Sequence, residues 1–216
     1  MVLENYYFWF KNVVPSNVCN DIIKFATIQN KTPGLIHGEE KFNNSKKSKE
    51  GLKLRNSDVV WLRDEWVFQE LHPFAHEANK MANWNFELDR SESIQFTIYG
   101  KNQHYGWHVD ANAKVYDCPN DLTLHGKTRK LSMSVILNDP KEYKGGEFEI
   151  EYPTEDKKGY RTEIVKQLDS IGSVLVFPSF VRHRVRPVTK GVRYSAVLWF
   201  IAVSYTHLTL PTKRIV

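Results

Sequence analysis

Two cysteines, Cys19 and Cys118, are too few to staple a chain of 216 residues, and they form no CxxC pair. Their scarcity excludes a disulfide framework and a thiolate metal site, and it fits a reducing, cytoplasmic setting. Glycine and proline are sparse at 11 and 9 residues, which excludes a collagenous or low-complexity chain. No apolar run approaches the roughly 18 residues of a membrane helix, and Met1-Val2-Leu3-Glu4 lacks the basic opening of a secretory signal. The expectation is a soluble protein with no membrane partner. Charge of one sign is also missing, with 30 Lys and Arg against 25 Asp and Glu. The stretch 204–216 (SYTHLTLPTKRIV) resembles vector-derived read-through and holds two bases and no acid, so without it the balance falls from +5 to 5 − 2 = +3. That excess is too small to infer a nucleic-acid partner.

Hydrophobic residues make up 41% of the chain, enough for one core in a length too short for two ordinary domains. The expectation is a single domain over 1–203, with N-terminal helices and strands in 1–92 and a β core in 93–203. Tyr6 to Phe10 is an aromatic run that suits a buried strand. Ser16 or Asn17 can cap a helix carrying Val18, Ile22, Phe25 and Ala26. His37 to Lys53 (HGEEKFNNSKKSKEGLK) reads as a solvated loop rather than a phosphate-binding patch. Leu52 to Trp61 reads as a strand. Asp64 to Trp84 places Trp66, Val67, Leu71, Phe74, Ala78 and Met81 at helical spacing, with a kink or restart expected at Pro73.

From Ser93 the texture changes to short runs of Val, Ile, Phe and Tyr between turn signals. Strands are predicted at Ile94 to Tyr99, Tyr105 to Val109, Leu131 to Leu137, Glu147 to Tyr152, Tyr160 to Gln167, Ser173 to Phe177, His183 to Pro187 and Arg193 to Ile201. Strands without intervening helices exclude a βαβ sheet. They favour antiparallel pairing in a sandwich, barrel or jelly roll, giving a mainly β fold with flanking helices.

His108-Val109-Asp110 ends one of these strands, where period-two geometry puts His108 and Asp110 on one face. His183 opens another strand, and together the three make a two-His, one-carboxylate set that suits non-haem Fe(II) and leaves positions open. An HxD match is short, and each histidine could instead be satisfied by backbone groups. His37-Gly38-Glu39 fits HxE equally well but sits in the polar loop. Arg193-Tyr194-Ser195 places a guanidinium and a hydroxyl on one face of a further strand, where a fork can grip a carboxylate.

With these residues on view, the sequence resembles the Fe(II)/2-oxoglutarate dioxygenases, and within them the prolyl 4-hydroxylase-like family that includes the bacterial PKHD-type hydroxylases. The resemblance runs through Gln95 to Tyr99, Gln103 to Asp110, Leu131 to Pro140, Tyr143 to Phe148, Gly172 to Ser179 and His183 to Arg193. It implies a double-stranded β-helix, with His108, Asp110 and His183 as iron ligands, Arg193 as the clamp on the distal carboxylate of 2-oxoglutarate and Tyr99 as a further co-substrate contact. Ile136 stands where the animal prolyl hydroxylases often have a tyrosine, so the co-substrate pocket should depend more on Tyr99 and Ser195. Tyr105 and Trp107 are expected either against substrate or in core packing. Segment 39–56 falls where relatives carry a part that closes over the peptide, and Ala111 to Lys130 can also shape the entrance.

The implied cofactors are Fe(II), 2-oxoglutarate and dioxygen, with room for ascorbate as an accessory reductant. The implied activity is hydroxylation of a C–H bond, with a prolyl residue of a peptide or protein as the leading substrate. Another side chain, a free amino acid or a nucleobase would use the same chemistry, and a non-catalytic cupin-like metal-binding module is the reading from a different class. Oligomeric state is not legible.

Overall fold

The computed structural model describes residues 3–35, 49–112, 114–154 and 159–203. In chain order the elements are β1 (Phe8–Phe10), α1 (Ser16–Thr27), β2 (Thr32–Pro33), α2 (Lys49–Leu54), β3 (Arg55–Asn56), β4 (Asp58–Leu62), α3 (Glu65–Met81), β5 (Arg90–Ser91), β6 (Ile94–Tyr99) and β7 (His104–His108). There follow β8 (Lys127–Ile136), β9 (Lys144–Gly145), β10 (Phe148–Pro153), β11 (Tyr160–Ile164), β12 (Val174–Pro178), β13 (Arg182–Val185), β14 (Val188–Lys190) and β15 (Arg193–Val203).

The major sheet runs β1-β12-β8-β15-β6-β4-β2, with β5 attached to β15, and the minor sheet runs β11-β10-β13-β7-β3. β9 and β14 form a separate ribbon. Strand alternation sorts the residues of the major sheet into two layers. Leu131, Met133 and Val135 of β8, Ala196, Leu198 and Phe200 of β15, and Ile94 and Phe96 of β6 share a core with Ile22 and Ala26 of α1 and Leu71, Ala75 and Ala78 of α3. The alternate residues turn toward the minor sheet, where Leu175, Phe177 and Tyr99 pack with Phe148, Ile150 and Val185. This second layer also carries buried polar groups, among them Thr97, Ser132, Ser195 and Arg193. Helices on one sheet and a polar-lined gap between the two sheets are the arrangement of a jelly roll that encloses a site.

The eight strands expected after Ser93 are present with ends shifted by a few residues. Four details of the N-terminal part depart from expectation. Residues 49–54 are helical, so the strand expected from Leu52 begins only at Arg55. Neither Ser16 nor Asn17 caps α1, because Pro15 takes the cap position and its fixed φ of −56° leads the chain into the first turn. α3 passes through Pro73 unbroken, held by Val67, Leu71, Ala75 and Ala78 buried against the sheet. Met81 and Trp66 stay substantially exposed, and Trp9 of β1 is 41% exposed, so the aromatic run is an edge strand rather than a fully buried one. Residues 36–48, with His37 and Glu39, and the stretch 204–216 lie outside the described residues.

Candidate metal centre

The candidate metal ligands come from β7 and β13, neighbouring strands of the minor sheet, and from the turn after β7. His183 of β13 pairs in register with His108 of β7, and Asp110 follows two residues on, with its N–H and that of Ala111 both donated to Ser179 O at 2.9 and 2.8 Å. The ligand atoms of His108, Asp110 and His183 lie within 4.8 Å of one another. His108 Nε2 is 3.5 Å from Asp110 Oδ1, and His183 Nε2 is 3.6 Å from Asp110 Oδ2. Each histidine turns its other nitrogen to a backbone carbonyl, His108 Nδ1 to Gly106 O at 2.8 Å and His183 Nδ1 to Val181 O at 3.0 Å. A proton on Nδ1 donates to that carbonyl and leaves the Nε2 lone pair facing the carboxylate, which is the tautomer a metal requires.

Electrostatics point the same way. Burial alone would raise the Asp110 pKa, but His183, His108 and Arg129 together hold it well below the usual carboxylate range. Burial and the adjacent His108 push His183 down to about 4, so its imidazole is neutral near neutral pH. A carboxylate and neutral imidazole at one point form the donor set that suits a divalent cation such as Fe(II). Aromatic rings wall the set: Tyr105 stacks on His108 with centroids 3.5 Å apart, Phe148 lies parallel to His183 at 5.3 Å, and Phe177 meets it edge-on at 4.6 Å.

Deeper between the sheets, β15 pairs with β6 so that Arg193 faces Tyr99 and Ser195 faces Thr97. Arg193 is 1% exposed, and its Nη1 donates to Ser195 Oγ at 3.0 Å. Its Nε finds no partner among the described residues, and its Cζ lies 5.5 Å from the Tyr99 ring centroid. A buried guanidinium bonded to one neutral hydroxyl is prepared for an anion. Arg193 and Ile136 also line a cavity of about 420 Å³ with Phe148, Val165 and Gly146. Tyr99 is 3% exposed, and burial raises its pKa against the opposing effect of Arg55 and Arg193, so the phenol stays protonated.

Tyr105 and Trp107 are placed differently. Tyr105 lies between His108 and the Arg55 guanidinium, whose Cζ is 4.5 Å from its ring centroid. The Trp107 ring lies on the other face of the minor sheet, against Arg182 and Arg184.

The motifs do not identify a further group beside Asp110. Arg129 makes a two-pronged ion pair with Glu92, Nε to Oε1 at 2.7 Å and Nη2 to Oε2 at 2.6 Å, and its Nη1 lies 3.5 Å from Asp110 O. Tyr116 donates to the same Glu92 Oε1 at 2.6 Å. The Arg129 Cζ sits 3.9 Å over the Trp199 ring, whose buried indole N–H has no acceptor among the described residues. Strand alternation gives no signal for it: Arg129 is two residues from Leu131, which faces the helices, yet lies over Trp199 on the other face, beyond the register shift between Phe200 and Ile201.

A jelly roll that buries a His-Asp-His set beside a buried arginine defines a non-haem metal oxygenase scaffold. The profile of the 2OG-Fe(II) oxygenase superfamily matches residues 94–201, half of the chain, and the protein belongs to that family. A PKHD-type hydroxylase of Gloeothece citriformis is 38% identical over 108 residues, 50% of this chain and 41% of the relative. One of Xylella fastidiosa is 34% identical over 105 residues, 49% of this chain and 42% of the relative. The match thus spans about two-fifths of the length of these curated relatives. Among solved structures, a Pseudomonas putida prolyl-4-hydroxylase superposes with a TM-score of 0.64 at 16% identity, covering 91% of this chain and 93% of that one. The viral collagen prolyl hydroxylase of Paramecium Bursaria Chlorella virus-1 gives 0.62 at 20% identity, covering 93% and 98%. A Trichoplax adhaerens prolyl hydroxylase, solved with a hypoxia inducible factor peptide fragment, gives 0.61 at 14%, covering 91% and 84%. At these identities the likeness is one of fold, the double-stranded β-helix.

Proposed function

We propose that the protein is an Fe(II)- and 2-oxoglutarate-dependent dioxygenase that hydroxylates a C–H bond, with a prolyl residue of a peptide or protein as the substrate. The observation that carries this reading is the pairing of two features in one enclosed layer: three converging candidate ligands and a buried guanidinium that meets no carboxylate among the described residues. His108, Asp110 and His183 would hold the iron. Arg193, with Ser195 fixing its orientation, would bind the distal carboxylate of 2-oxoglutarate through charge-assisted hydrogen bonds. When bound, Fe(II) and the 2-oxo acid supply the activation of dioxygen that inserts one oxygen atom into the substrate and leaves succinate and carbon dioxide.

The remaining residues bind, orient and exclude water. Tyr99, protonated at neutral pH, offers a hydroxyl beside Arg193. Phe148, Phe177 and Tyr105 keep the ligand nitrogens in an apolar surround, which strengthens every charge interaction within it. Arg129 is bound to Glu92 and reaches the Asp110 carbonyl, so it braces the turn that carries the carboxylate.

The substrate assignment is supported by the prolyl hydroxylases among the structural relatives and the PKHD-type hydroxylases among the curated ones. It is also supported by the surface beside Asp110. Trp61, 46% exposed and 6.1 Å from the buried Trp199, offers an aromatic face to a saturated ring. A cupin-like module without turnover would leave the buried Arg193 unexplained.

The test is incubation with Fe(II), 2-oxoglutarate and dioxygen against a panel of proline-containing peptides and free metabolites, followed by mass spectrometry. The expected result is succinate formation with the gain of one oxygen atom on a peptide proline, lost in His183→Ala. Turnover by His183→Ala at the parent rate would refute the ligand assignment. Oxidation confined to free metabolites would refute the peptide assignment.

A further inference from the structure

We propose that Trp107 is a positioning residue for the metal centre: its indole, held between Arg182 and Arg184 on the outer face of the minor sheet, fixes the register of the two strands that carry His108 and His183. The proposal rests on the metal-centre reading and adds to it a residue that touches neither metal nor substrate.

The strands β7 and β13 meet at His183↔His108 and again at Val185↔Tyr105. The interval is two residues on β13 and three on β7, so β7 carries an extra residue between Tyr105 and His108. Such a bulge leaves one residue unpaired and re-aims the side chains beyond it. Here it allows Tyr105 and His108, three apart in sequence, to stack on the same inner face. The same bulge weakens the ladder at the point where the spacing of the two imidazoles is decided, and a bulged pair can slip unless something outside the ladder holds it.

Gly106 and Trp107 occupy the bulge, and each is held from one side. A Cβ on Gly106 would approach Leu54 Cδ1 and Leu54 O to 3.1 Å, so α2 presses closely on the bare backbone. On the outer face the Arg182 Cζ lies 5.1 Å and the Arg184 Cζ 4.7 Å from the Trp107 ring. These two arginines flank His183 in sequence and point outward because His183 points inward. A ring attracted by both guanidiniums is centred on the residue between them, so a one-residue slip of β7 against β13 would forfeit one contact.

The arginines are fixed in turn. Arg182 Nη1 donates to Glu151 Oε2 at 2.6 Å, and Arg184 Nε donates to Glu149, a buried carboxylate that also lies 3.8 Å from Arg186 Nη1. Glu149 and Glu151 stand on β10 on either side of Ile150, the residue paired with His183. The grip on Trp107 is therefore anchored to a third strand. A substrate-contacting role would need the ring on the inner face, where the ligand atoms converge.

The test is a Co(II) titration, followed by the visible ligand-field absorption, of the parent, Trp107→Leu and Trp107→Phe, together with the thermal midpoint of each metal-free protein. Trp107→Leu is expected to raise the Co(II) Kd roughly tenfold or more, the usual scale for residues that orient a ligand, and to alter the absorption bands. Trp107→Phe keeps a ring face and should recover most of the affinity. Should Trp107→Leu fail to fold, Arg182→Leu removes one half of the grip from a half-exposed site and should weaken Co(II) binding in the same direction. An unchanged Kd and spectrum in a folded Trp107→Leu, whatever its midpoint, would overturn the proposal, because a purely structural ring would lower stability without altering the folded site. A raised peptide KM with unchanged Co(II) affinity would overturn it in favour of substrate contact. Failure of the parent to bind Co(II) would overturn the metal-centre reading and the proposal with it.

Discussion

A guanidinium with 1% of its surface exposed needs an anion, and among the described residues Arg193 has Ser195 Oγ as its hydrogen-bond partner. Arg193→Ala is therefore expected to raise the KM for 2-oxoglutarate by at least tenfold, on the scale of about 1.5–3 kcal/mol for hydrogen bonds to a charged group. Co(II) affinity should stay near the parent value. Arg193→Lys should recover little, since an ammonium cannot present the planar fork. Equal loss of metal and co-substrate binding in Arg193→Ala would show that the residue is structural. The ligand-type residues were legible because few side chains carry that chemistry and strand alternation states which of them share a face. Arg129, Glu92 and Trp199 were not. Their contacts join segments 37 and 70 residues apart, and that proximity is decided by sheet order, which one-dimensional spacing does not contain.

The two thiols separate at the same scale. Cys19 is fully buried on α1, and burial pushes its thiol up to about 11, whereas Cys118 is only half-buried. Alkylation with iodoacetamide at mildly alkaline pH, read by peptide mass mapping, should modify Cys118 quickly and Cys19 only as the protein unfolds. The sign of the pH effect follows from the direction of the shift. The fold favours the protonated thiol, so the contribution of Cys19 is complete below its ordinary value of 9.0 and is lost as pH climbs from there toward about 11. Comparable alkylation rates for the two would contradict the burial of α1 against the sheet.

Among the elements, the turn before β12 holds the N-terminal segment in place. Gly172 has φ +75° and its carbonyl accepts from Val13 and Val14 N–H at 3.0 and 3.1 Å. A Cβ at this position would fall 2.0 Å from Val14 O, while one at Gly126, also at φ +75°, would meet nothing within 4 Å. The backbone conformation alone costs an alanine about 1–2 kcal/mol. Gly126→Ala should lose about that much in urea unfolding, and Gly172→Ala should lose roughly 1–3 kcal/mol more because backbone must move. Equal losses would mean that the turn gives way freely. The C-terminal elements were legible because turn residues punctuate short alternating strands. The N-terminal ones were misread where tertiary contacts override local preference. Lys49–Leu54 coils into a helix whose Leu54 is pressed against Gly106, and α3 keeps its course through Pro73 because its buried face is fixed on both sides of the ring.

For the whole molecule, α1 and α3 pack on the face of the major sheet opposite the one that looks toward the site. The larger apolar cluster joins α1 and α3 to the major sheet, and the smaller one lies between the sheets, with Phe148 and Phe177 against His183. The first cluster supports the fold without ligands, so metal and 2-oxoglutarate should act as separable additions to the stability of an already folded protein. A ligand present at 100 times its Kd contributes about 2.7 kcal/mol, which for a chain of this size is a midpoint rise of roughly 5–10 °C. Parent protein heated with saturating Mn(II) should show one such rise, and adding 2-oxoglutarate to the metal-loaded protein should give a second. His183→Ala should lose the first rise because a ligand is missing. It should also lose most of the second, since a 2-oxo acid held by Arg193 alone forgoes its contact with the metal. Arg193→Ala should keep the first and lose the second. If instead 2-oxoglutarate stabilised His183→Ala as fully as the parent, the dicarboxylate would be bound away from the His108, Asp110 and His183 centre, and the joint use of that centre and Arg193 would be refuted.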